Sequence, residues 1–118
     1  MPKSSKKNAP RIGAHTPTSG GMAKRSLGYA QAIEAEVIQV FASNPRGWAM
    51  PEPNQAADEE FKTKALAMDV TTYVHAPFLI NLGSPTEGTY TNSLASTEYS
   101  LKRGKDIGAL GVVIHTGS

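Results

Sequence analysis

The chain contains three histidines, His15, His75 and His115, and no cysteine. Without cysteine there is no disulfide framework and no thiolate metal site, so a bound divalent metal would take its donors from His, Asp or Glu. Each histidine closes a segment that reads as a β-strand: RIGAH (11–15), TTYVHAP (71–77) and GVVIH (111–115). In parallel α/β folds the carboxyl ends of the strands are where ligands bind and catalysis happens. The strands carrying His75 and His115 are consecutive in sequence and expected to be neighbours, about 4.8 Å apart. Two imidazoles on one zinc ion need nitrogens roughly 3.3 Å apart, which side chains leaning inward from adjacent strand ends can reach. The strand of His15 lies two places from that of His75, about 10 Å away, so His15 suits a substrate contact or a pocket wall better than the same ion. No acid sits at a strand end: Asp69 and Asp106 precede strands, and the others fall in helices or connections. Two histidines are an incomplete zinc set, which takes at least three protein ligands. Either no metal binds or the other donors lie beyond Ser118.

The segment 71–85, TTYVHAPFLINLGSP, carries a second signal. Ala76-Pro77 stops the strand, because proline has no N–H for the ladder. The loop that follows opens with Phe78-Leu79-Ile80, where connecting loops are ordinarily polar. An apolar loop beside a strand-end histidine reads as a segment that inserts into a partner, or as a lid over the mouth of the fold. The turn Asn44-Pro45-Arg46-Gly47-Trp48 after the second strand holds one arginine and the only tryptophan. From residue type alone, Arg46 is a ligand contact or a surface residue, and Trp48 a contact or a core or helix-capping aromatic.

The elements that would position these residues alternate. Strands are expected over 11–15, 37–43, 71–77 and 111–115, and helices over 22–33, 55–68 and 91–107. Thr18 or Ser19 can cap the first helix, whose apolar side is Met22, Leu27, Ala30 and Ile33. The second puts acids first and lysines later, the order its dipole favours, with Phe61, Ala65 and Met68 on one face. The third packs through Leu94, Leu101 and Ile107 and stops at Gly108. Helix-covered parallel strands are expected to be apolar on both faces. Repeated βα units give a parallel sheet with right-handed crossovers. Eight of them make a (β/α)8 TIM barrel of about 250 residues. The expected fold is therefore α/β: the N-terminal half of such a barrel, with four parallel strands, three intervening helices and truncation after the fourth strand. A flavodoxin-like sheet would need a fifth strand.

At 118 residues the chain holds one domain, and its mean hydropathy of −0.32 is ordinary for a soluble protein. No run is long and apolar enough to span a membrane, and the lysines of MPKSSKKNAP are followed by no apolar core, so no secretory signal is expected and the cytoplasm is the expected compartment. Net charge is +2, unevenly spread: six basic residues and no acid precede Glu34, and six basic and ten acidic residues follow Ile33. Residues 1–10 read as a disordered basic arm and 11–118 as the partial barrel domain. A basic end beside a site is compatible with a polyanionic partner.

RIGAH with a following Gly20-Gly21, then VIQVF and NPRGW, then YVHAPFLINLGSP, then VVIHTGS, together resemble the N-terminal half of the endonuclease IV (deoxyribonuclease IV) family, on a xylose-isomerase-like barrel, across residues 11–118. The resemblance implies a zinc-dependent apurinic/apyrimidinic endonuclease that hydrolyses the phosphodiester 5′ to an abasic site in double-stranded DNA, during base-excision repair. It implies three zinc ions, with His75 and His115 as two ligands of one and the remaining ligands in the other half of the family's barrel. Arg46 matches the family's duplex-entering arginine, and Phe78 and Leu79 the residues that wedge beside the lesion. His15, Asn44 and Trp48 complete the expected DNA-contacting set. Phe78 stands where the family has tyrosine, and Thr116 replaces the proline of its HPGS. A fragment with so few ligands is expected to be inactive alone and to self-associate through exposed sheet edges. Two other readings accompany this one: a sugar isomerase or epimerase on a related barrel, and a non-catalytic remnant. An apolar loop after the third strand favours DNA over a sugar, whose pocket would want polar loops.

Overall fold

The structure, a computed structural model, describes residues 9–117. The basic arm expected over 1–10 therefore lies, but for its last two residues, outside the described residues. The elements run β1 (Gly13–His15), a wide π-type turn (Met22–Ser26) leading into α1 (Leu27–Ala32), β2 (Val37–Phe41), α2 (Gln55–Ala67), β3 (Thr71–His75), α3 (Glu87–Ile107) and β4 (Gly111–Val113). All four strands are parallel and lie in the order β1-β2-β3-β4. A sheet that adds each strand on the same side, through crossovers of one hand, carries its helices on one face. That is the geometry of a barrel wall; a doubly wound sheet would reverse direction partway.

Each strand is shorter than its sequence suggests, and the difference matters at the site. β4 ends at Val113, so His115 sits two residues past it. β1 begins at Gly13, whose lack of a side chain is required, because a Cβ there would collide with the Val37 carbonyl. Arg11 instead crosses the amino rim of the sheet, donating to the backbone carbonyls of Asp69 and Glu36 and to Asp69 Oδ1. The strands are also not apolar on both faces. Ile38, Val40, Thr72 and Val74 are buried against the helices, while Val37, Gln39, Phe41, Thr71, Tyr73 and His75 are only half-buried. Helices cover one face alone.

The core lies between sheet and helices, built from Leu27, Ala30, Ile38, Val40, Phe61, Ala65, Val74 and Ile107. The α2 face of Phe61, Ala65 and Met68 packs there as expected, and Asn54 caps the helix by accepting the Ala57 N–H at 3.0 Å. Neither Thr18 nor Ser19 caps the first helix; Gly21, at φ 113°, precedes it, with no side-chain cap. Ile33, expected on its apolar side, is exposed beyond its end.

Helix α3 departs most from expectation. It begins at Glu87, four residues before the predicted start; Gly88 and Thr89 in its first turn are weak helix formers, which hides that start in the sequence. Its leucines do not pack: Leu94 is 48% and Leu101 57% exposed. The buried face is Ser93, Ser96, Ser100, Arg103, Gly104 and Ile107. Small residues let the helix lie close to the sheet, and a Cβ at Gly104 would already touch Val112 and Val74. Two of the buried hydroxyls are satisfied locally: Ser100 donates to the Ser96 carbonyl, and Ser93 accepts the Asn81 N–H. Arg103 forms a two-pronged ion pair with Asp58 on α2, at 2.6 and 2.7 Å, with Asp106 as a third partner. The bond to Asp58 raises the Arg103 pKa further, against burial, so the guanidinium stays charged and its partner carboxylates compensate it. No helix among the described residues is long and apolar enough to cross a membrane.

Candidate functional site

The strand register brings the histidines to one rim. Phe41 lies directly across from His75, and His75 from Val113. The β3–β4 ladder runs one bond further, from the Ala76 N–H to the Val113 carbonyl at 2.9 Å. That bond holds the start of the segment carrying His115 beside the end of β3. His75 and His115 then meet, Nε2 to Nε2, at 3.2 Å.

The other nitrogen of His75 decides what this contact means. Nδ1 lies 2.6 Å from the Ala76 carbonyl, which can only accept, so Nδ1 carries the proton and Nε2 offers a bare lone pair. A metal-ligating imidazole typically has this arrangement, with its far N–H given to a carbonyl or carboxylate that fixes tautomer and ring orientation. The pair can sit in one of two states. Either His115 donates a proton to His75, or two lone pairs converge on a shared cation. Their separation suits two donors of a tetrahedral zinc, which needs roughly 3.3 Å. The residues thus fit two corners of such a site. No group of three or more His, Cys, Asp or Glu able to hold a metal occurs among the described residues.

His15 stays apart from the pair. Its ring centroid is 6.3 Å from that of His75, and Phe41, on the intervening strand, packs beside both, 4.4 Å from His15 and 5.2 Å from His75. Partial burial, helped by the neighbouring His75, lowers the His15 pKa from its ordinary 6.5 and favours the neutral imidazole. A neutral ring at the rim can donate or accept toward a ligand. Phe41 carries no functional signal of its own in the sequence, because VIQVF reads simply as a packed strand. The available signal was its position, closing β2 on the same face as His75.

The apolar loop splits in two. Ile80 is buried under the rim, whereas Phe78 is 44% and Leu79 38% exposed. The Phe78 ring meets Phe41, His75 and His115 at centroid distances of 5.3, 5.5 and 5.6 Å, so one edge supports the histidines while the rest faces solvent. The turn after β2 adjoins this loop, because the Phe78 N–H donates to the Pro45 carbonyl at 2.8 Å. Arg46 and Asn44 are exposed there and Trp48 is half-buried. The structure therefore gathers Phe78, His75 and His115, with the His15 ring 6.3 Å from that of His75, and places Arg46 on the adjoining turn. A groove of about 640 Å³ lies elsewhere, between α3 and the 50–53 connection.

No protein-family model matches the chain. It is 52% identical over 107 residues to a Streptomyces avermitilis protein named "probable endonuclease 4", covering 91% of this chain and 34% of that protein. A Streptomyces coelicolor protein of the same name is 50% identical over 117 residues, covering 98% of this chain and 40% of that one. In three dimensions the chain is similar to the crystal structure of endonuclease IV from Thermus thermophilus, with a TM-score of 0.86 and 32% identity across 92% of this chain and 41% of that one. The chain spans two fifths or less of the length of these two Streptomyces relatives. Its four strands and three helices are thus a partial TIM barrel, and in both sequence and fold the chain is a partial-length relative of endonuclease IV.

Proposed function

We propose that this chain forms part of the metal-binding, DNA-contacting rim of a zinc-dependent apurinic/apyrimidinic endonuclease, which hydrolyses the phosphodiester 5′ to abasic sites in double-stranded DNA during repair. The observation that carries this reading is the pair of imidazole nitrogens 3.2 Å apart at the carboxyl rim, one with its tautomer set by a backbone carbonyl. His75 and His115 would hold one zinc ion from two sides, and the further donors must come from outside the described residues. Zinc would supply Lewis acidity toward the phosphate and a stronger nucleophile from water. Phe78 buttresses the two rings. It also extends, with Leu79, an apolar edge suited to insertion between base steps, where wedges of this type unstack and bend a duplex. Arg46 on the adjoining turn supplies positive charge for the phosphate backbone or an opened base step. His15, Asn44 and Trp48 flank these contacts. The free edges of β1 and β4 suit association with another β-strand, including a second copy of the chain, and the cytoplasm is the compartment this activity implies.

Calorimetric titration of zinc into the purified chain tests the reading. With water filling the remaining positions, one ion per chain should bind weakly, and either His75→Ala or His115→Ala should weaken it further by about tenfold or more, as expected when one of few ligands is lost. Unchanged binding in both variants would remove the pair from the metal site.

A further inference from the structure

Asn44 has the residue type of a ligand contact, yet its polar groups are turned to its own turn. Its side-chain Oδ1 accepts the Arg46 N–H at 2.9 Å, and its backbone carbonyl accepts the Gly47 N–H at 3.3 Å. This is the pattern by which an asparagine shapes a turn through its own side chain. The neighbouring carbonyl, that of Pro45, accepts the Phe78 N–H at 2.8 Å. The Pro45 carbonyl and the Arg46 N–H belong to one planar peptide unit, so with φ fixed by proline the bond from Arg46 N–H to Asn44 Oδ1 also sets the direction of that carbonyl. Within three residues, the β2–α2 connection holds the backbone of its own arginine and anchors the first residue of the β3–α3 apolar loop. The Phe78 ring then rests on Phe41, His75 and His115, which ties the loops to the rim.

We propose that Asn44 is a positioning residue that makes the Arg46 turn and the Phe78-Leu79 loop one rigid unit, so that arginine and apolar wedge reach a duplex in fixed relation. The joining of the loops rests on the hydrogen bonds alone; its use on DNA rests on the function proposed above. Two loops that moved independently would each lose conformational freedom on binding, whereas a pre-joined pair loses less.

Amide exchange and duplex affinity separate these two parts. In Asn44→Ala, the amides of Arg46 and Phe78 should exchange about fivefold faster, the change expected for one net hydrogen bond, while those of Val40 and Val74 stay unchanged. Asn44→Ser keeps a neutral acceptor at the same place in the turn and should restore slow exchange. Phe78→Ala, which removes the ring but keeps the backbone bond to Pro45, serves if Asn44→Ala loosens the core as well: in a single unit it speeds the Arg46 amide. An unchanged Phe78 amide in Asn44→Ala, or an unchanged Arg46 amide in Phe78→Ala, overturns the coupling. Fluorescence anisotropy with a duplex carrying a tetrahydrofuran abasic analogue reads the second part. Affinity should fall about fivefold in Asn44→Ala and recover in Asn44→Ser. Undiminished affinity in Asn44→Ala despite faster exchange overturns the positioning role. If the wild-type chain binds no abasic duplex, the DNA reading is what fails, and the loop coupling stands or falls on exchange.

Discussion

A single proton determines what the rim can do. With the His75 Nδ1–H committed to the Ala76 carbonyl, Nε2 is left as a lone pair facing the Nε2 of His115. Imidazole ¹⁵N chemical shifts should therefore show His75 as the Nδ1–H tautomer in metal-free protein at neutral pH. A spectrum showing the Nε2–H form would mean that the Ala76 contact does not hold the ring. The His75–His115 meeting was legible from sequence. It needed only that strands three and four be neighbours, that side chains alternate, and that both histidines close their strands. His115 falls two residues beyond β4 rather than within it, but the Ala76–Val113 bond extends the ladder far enough to keep the two rings together. Phe41 was not legible, because an aromatic residue at the end of an apolar strand is ordinary until the register sets it opposite His75. Nor was the inward turn of the Asn44 side chain, since exposed contacts and turn-shaping residues share the same composition.

At the scale of elements, strand number, order and direction follow from the alternation of strand and helix patterns, and α2 shows its packed face openly. Helix α3 does not. Counting apolar residues selects Leu94 and Leu101, yet both are largely exposed, and the face against the sheet is serine, glycine and a paired arginine. Close approach of helix to sheet favours small side chains over apolar ones, and hydropathy alone carries no sign of how near two elements lie. Two substitutions discriminate. Ser96→Leu should destabilise the chain by about 1–3 kcal/mol through overpacking, whereas Leu101→Ser should change stability by less than about 0.5 kcal/mol, as at other exposed sites. Urea denaturation measures both, and the reverse ranking would show that the leucine stripe forms the packed face.

For the whole molecule, β1 and β4 each have an unpaired side among the described residues. A large apolar residue is exposed just before each edge strand: Ile12 is 71% and Leu110 72% exposed. The rim shares this incompleteness, offering two donors where zinc takes at least three. An unpaired edge with apolar neighbours recruits another strand. Sedimentation of the purified chain should accordingly show concentration-dependent association in the micromolar range. A strict monomer across that range would mean that the short edge strands are sufficient protection. That the sheet is a barrel wall could be anticipated from the fold rule, since sequential strand order with one-handed crossovers favours that architecture.

The most direct test of the account is X-ray absorption at the zinc edge of the zinc-loaded chain. Two imidazole nitrogens at about 2.0 Å should appear in the wild type and one in His115→Ala. A spectrum without imidazole scattering, or one unaltered by loss of His115, would contradict the claim that His75 and His115 grip a common ion.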